Sequence, residues 1–148
     1  EMRGISDSAV KAVKRIRETK KDITTIKALA EKAMKLAEGD DAKKPYKDLI
    51  KQAGDVTKAL KKLEDRIVPE TREEGIHYNA DKVMTIIGDA AYHAGSYAGR
   101  PGPASMVYRT KAENALRAIQ VDIDALYGKE VAEFRTAFEG SDLNLLRQ

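Results

Sequence analysis

The 148 residues contain no cysteine and no tryptophan, four prolines and ten glycines, which excludes disulfide frameworks, thiolate metal sites and cysteine nucleophiles. Apolar residues make up 42% of the chain and only two residues are phenylalanine, so a core has to be built from Ala, Leu, Ile and Val, and no apolar run approaches the ~20 residues of a membrane span. The net charge of +3 conceals an asymmetry: residues 1–62 carry 17 basic and 10 acidic side chains (+7), the remainder 10 and 14 (−4), the pattern of two oppositely charged helical hairpins that pack on each other.

Ser6, Asp7 and Ser8 can each cap a first helix, whose apolar positions Val10, Val13, Ile16, Ile23, Ile26, Ala30, Ala33 and Ala37 trace one stripe. Gly39 stands where a left-handed residue closes it, and Pro45 suits the first turn of the next helix. The second helix has the most regular seam, Leu49, Ala53, Val56, Leu60, Leu63 and Ile67, in alternating steps of four and three. Lys58, Lys61 and Lys62 beside it form a solvated face. Pro69 ends that helix, and a polar connection leads to Asn79, the expected cap of a shorter third helix on Ala80, Val83, Ile86, Ile87, Ala90, Ala91 and Ala94.

A stretch dense in glycine and proline, 95–103, separates the third helix from a fourth, with Gly102 as cap and Pro103 as its first residue. Val107, Ala112, Ala115, Ile119, Ile123 and Leu126 carry the fourth helix to Tyr127, where Gly128 interrupts it. Val131, Phe134 and Phe138 mark a short terminal helix, a lid on one end of the bundle, before a tail at 139–148 in which Leu143, Leu145 and Leu146 suggest partial docking. The expected fold is all-α: an up-down-up-down antiparallel four-helix bundle with a short fifth C-terminal helix, a single domain over 1–148.

Few residues here can carry chemistry. Glu74 and His77 have the spacing of a di-iron bundle motif, but such a site needs two copies and two further glutamates. His93 follows Asp89 by one helical turn, which a surface pair or a cap explains. Ser96 and Ser105 flank the glycine-rich loop without a base and an orienting acid, and that loop lacks the Lys-Ser/Thr ending of a phosphate cradle. No catalytic, cofactor-binding or metal-ligating residue is therefore expected. Tyr92, Tyr97, Tyr108 and Arg100 bracket the loop and can form a recognition surface of aromatic and guanidinium groups. The other reading of the tyrosines is packing under the loop, hydroxyls to solvent.

The run from His77 to Val83, the run from Gly99 to Ser105 and the segment Ala12 to Thr25 resemble the C-terminal helical region of bacterial β-propeller proteins labelled sortilin-like or BNR-repeat glycosyl hydrolases. In that family the region follows a propeller and a β-sandwich and holds none of the hydrolytic residues. The resemblance thus implies a non-catalytic appendage, periplasmic or secreted, of a larger protein, which a chain opening on Glu1 rather than Met also suggests. The family loop has Thr where this chain has Gly102, which leaves that cap to the backbone. The expected function is an accessory or interaction domain whose partners are other domains of its parent or another protein. The alternative is a free-standing binding module whose basic first hairpin meets an acidic partner, a membrane surface or, less favoured, nucleic acid.

Overall fold

The structure, a computed structural model, describes residues 2–70, 79–95 and 102–143. It is an all-α helical bundle: α1 (Met2–Leu36), α2 (Asp40–Ile67), α3 (Val83–Gly95), α4 (Pro103–Leu126), a π-turn (Tyr127–Val131) and α5 (Ala132–Glu139), with no strand among the described residues. The chain gathers into two compact units, one of Glu1–Arg15 with Lys62–Ile123 and the other of Ile16–Lys61 with Asp124–Gln148. Each unit draws on both the basic and the acidic half of the sequence, so the units do not follow the two expected hairpins.

The first unit buries Ala9 and Val13 of α1, Leu63 and Ile67 of α2, Val83, Ile87 and Ala90 of α3, and Ala112, Leu116, Ile119 and Ile123 of α4. Several positions differ from the expected stripes: Ala80 precedes α3, and Ala91 and Ala94 of that helix are exposed. Ala9 is buried while Val10 is 52% exposed, and Leu116 is buried where Ala115 was expected. Helical spacing selects an azimuth about 100° wide, and neighbouring positions within it are settled by how closely the facing helix approaches. Val107, also expected in the seam, is exposed. On the surface of this unit Arg66 of α2 donates to Asp122 of α4 at 2.6 Å.

The second unit buries Ile16, Ile23, Ile26 and Ala30 of α1, Leu49, Ala53, Val56 and Leu60 of α2, then Leu126, Val131, Phe134, Phe138 and Leu143. Each Val, Leu, Ile or Phe side chain among them contributes about 1.5–3 kcal/mol on removal from water, before entropy is charged against it. The expected stripe of α1 skips from Ile16 to Ile23, and the position between them is filled by Thr19. Thr19 is half-buried and its hydroxyl lies 2.6 Å from the Tyr127 hydroxyl. A polar residue at a seam position is tolerated because it meets a polar partner.

Helix ends follow local chemistry, with three departures. Gly39 has φ +88°, the left-handed geometry expected of it, and its carbonyl accepts from the Lys43 N–H at 3.3 Å, so one residue closes α1 and opens α2. Asp40 and Asp41 occupy the first turn of α2 and complement its dipole, and Pro45 falls inside the helix, beyond the first turn. α1 begins at Met2, upstream of the Ser6–Ser8 caps; Ser8 instead donates back to the Gly4 carbonyl at 2.8 Å. Asn79 lies in a turn that precedes α3 rather than next to its first residue: its carbonyl accepts from the Lys82 N–H, and the Lys82 carbonyl accepts from the Ile86 N–H in the helix itself. At α4, Pro103 is the first residue and the Gly102 carbonyl accepts from Met106, as its sequence implies.

Gly128 does not interrupt the chain. Leu126, Val131 and Ala132 all have right-handed helical dihedrals, and the π-turn joins α4 to α5 without a break, which is not the geometry of a separate lid. After α5 the backbone turns at Gly140 and Leu143 is buried; Leu145 and Leu146 lie outside the described residues.

Candidate interaction surface

Of the four residues expected to form a recognition surface, Tyr92 and Tyr108 are described, and Tyr97 and Arg100 lie outside the described residues, as do Ser96, Glu74 and His77. Tyr92 sits near the C-terminus of α3 and Tyr108 in the first turns of α4, where Gly102 and Pro103 start that helix. They meet through His93. The His93 ring stacks on Tyr108 with centroids 3.9 Å apart at 13°, and Tyr92 meets His93 edge-on at 5.6 Å and 81°. Both arrangements are favourable for π systems, each adding roughly 0.5–1.5 kcal/mol beyond the area covered.

The three rings are not equally available. Tyr92 is 73% exposed, so it fills no gap in the core, whereas Tyr108 and His93 are half-buried. Met106 and Val107, in the same first turns of α4, are 63% and 67% exposed. The first unit therefore shows aromatic and apolar surface at the ends of α3 and α4. His93 is the residue that sequence reasoning missed: its pairing partner is a ring on another helix rather than Asp89 one turn away. The available signal was its place in the last turn of α3, on the same side of the 95–103 connection as Tyr92. Ser105, also in the first turn of α4, is the only buried polar side chain among the described residues.

The second unit holds a cleft of about 260 Å³ between α1 and the π-turn with α5. Its floor of Ile23, Ile26, Val131, Phe134 and Phe138 is buried to within 8% exposure in every case. Little apolar area is left for a ligand to cover, and the rim of Asp22, Arg135 and Glu139 is charged on both signs. This is a packing seam more than a ligand pocket. Among the described residues no cluster of three or more His, Asp or Glu could hold a metal ion, and no helix is long and apolar enough to cross a membrane.

The outer face of α2 is charged. Lys44, Lys51 and Lys58 recur every seventh residue and are exposed, with Lys47 and Lys61 beside them and Asp48 and Asp55 interleaved. Lys47 reaches Asp40 at 3.9 Å; among the described residues Lys44, Lys51 and Lys58 form no ion pair. No protein-family model matches the chain, and neither a curated protein nor a solved structure matches it.

Proposed function

We propose that this chain is a non-catalytic interaction module that works through its surface, an accessory helical appendage of a larger bacterial β-propeller protein of the kind its short motifs resemble. One observation carries the reading. Among the described residues every buried side chain is apolar except Ser105, so nearly all side chains able to make directional contacts keep some exposure to solvent. Exposed Tyr92, flanked by the His93–Tyr108 stack, adds the aromatic character common in protein contacts. The setting as an appendage rests on the segments Ala12 to Thr25, His77 to Val83 and Gly99 to Ser105 alone.

The test joins a sequence and a measurement. Propeller blades encoded before Glu1, together with binding of this chain to the separately produced propeller by calorimetry, are expected. Binding should weaken on Tyr92→Ala while the helical content holds. Turnover of a glycoside by this chain, scaling with its concentration and retained through repurification, refutes the non-catalytic reading. A reading frame that opens immediately before Glu1 with nothing upstream refutes the appendage.

A further inference from the structure

We infer that the outer face of α2 is a docking strip for an acidic α-helical segment of a partner protein. The inference rests on the interaction-module reading and names one surface and one class of partner for it. Lys44, Lys51 and Lys58 share one azimuth of the helix, because seven residues are close to two turns. Their Cα atoms follow one another at about 10 Å, over about 20 Å in total. All three are exposed and, among the described residues, none is held by an ion pair within the chain. Lys47 and Lys61 widen the strip, and Asp48 and Asp55 punctuate it, again seven residues apart.

Three features favour a polypeptide over the other anionic surfaces that lysines attract. The strip contains no arginine; the only one in α2 is Arg66, which is engaged by Asp122. Phosphate backbones are gripped best by the guanidinium fork, while lysine acts as a point charge suited to single carboxylates. The interleaved Asp48 and Asp55 would face a continuous row of phosphates unfavourably, but they match a helix whose acidic residues are punctuated by basic ones at the same repeat. Finally, none of the exposed large hydrophobic residues belongs to α2. The strip has no wedge to insert into a bilayer and no exposed ring on which a base could stack.

The experiment uses the whole chain and three probes: a helical peptide with Glu at every seventh position and Lys at the positions facing Asp48 and Asp55, a duplex DNA, and phosphatidylserine–phosphatidylcholine vesicles. The peptide is expected to bind, with affinity falling as salt rises, and Lys44→Gln, Lys51→Gln and Lys58→Gln together should weaken it about tenfold or more. Asp48→Asn with Asp55→Asn is the decisive variant. It should also weaken the peptide, whereas on an indiscriminate basic surface the loss of two negative charges strengthens every anion. Circular dichroism of each variant should match the parent, since all five positions are exposed. Binding of DNA or vesicles more tightly than the peptide, or a gain in peptide affinity on removing the two aspartates, overturns the inference. If the peptide does not bind while the propeller does, the strip is refuted and the interaction-module reading stands; if neither binds, both fall.

Discussion

Removing Gly128 should leave the protein folded and nearly as stable as before, although the deletion shifts every later residue by one position. Buried positions along α4 step through 112, 116, 119, 123 and 126 by fours and threes, then jump by five to Val131 before resuming at Phe134 and Phe138. Each residue of an α-helix turns the chain by about 100°. Continuing the α-pattern past Leu126 would bring Glu130, Glu133 and Ala137 to the buried azimuth in place of Val131, Phe134 and Phe138. The π-turn at Tyr127–Val131 absorbs the one residue in excess and returns the apolar side chains to the core. Deleting exposed Gly128 lets the segment run as plain α-helix in the right phase. It also removes a glycine worth about 1 kcal/mol of helix propensity, so the expected change lies within about 1 kcal/mol of zero. The Thr19–Tyr127 contact precedes the deletion and should persist. The comparison is deletion of Ala118, exposed in the regular part of α4, which turns Ile119, Ile123 and Leu126 out of phase. At roughly 1.5–3 kcal/mol for each side chain, that costs about 5–9 kcal/mol and should prevent stable folding. Urea unfolding followed by circular dichroism reads both variants. Equal damage from the two deletions would refute the reasoning, because the π-turn would then be held for some reason other than phase.

Other perturbations separate backbone, core and surface effects. Gly39→Ala should destabilise by about 1–2 kcal/mol through its positive φ alone, since nothing lies within 4 Å of the added carbon, and Gly39→Asn should cost less; equal stability of all three forms in urea would contradict this. Leu60→Ala, at a fully buried seam position, should cost about 2–5 kcal/mol. Arg66→Ala, which removes a pair whose side chains remain 52% and 47% exposed, should cost less than about 1 kcal/mol and lose even that in high salt. A double-mutant cycle on His93→Ala and Tyr108→Ala should give a coupling of about 0.5–1.5 kcal/mol, and strict additivity would show that the stack contributes nothing.

What the sequence made legible was what depends on neighbours along the chain. The α2 seam was readable because Leu49 to Ile67 keeps one phase and every member is buried. Gly39 and the Gly102–Pro103 start of α4 were readable because each conformation has a residue that suits it best. What stayed hidden depends on elements far apart in sequence. Thr19 looked like a gap in a stripe because its partner, Tyr127, lies 108 residues away. Gly128 looked like a helix end because glycine and a lost phase together resemble one; the step of five from Leu126 to Val131 was the trace of the π-turn. Of the expected interaction surface, Tyr92 and Tyr108 do come together, but through His93, whose role rests on the approach of α3 to α4 and leaves no mark in residue spacing.

The sparse aromatic content gives the molecule its own spectroscopic labels. Phe134 and Phe138 are the chain's only phenylalanines, and both line the cleft of the second unit beside Ile23 and Ile26. Protons held over a ring face are shielded by its circulating electrons, so displaced isoleucine methyl resonances would report the packing of that unit. In the first unit the stack on Tyr108 does the same for the ring protons of His93, one of only two histidines. Nuclear magnetic resonance of the unmodified chain can thus follow each unit separately through heating or denaturant, with no introduced probe.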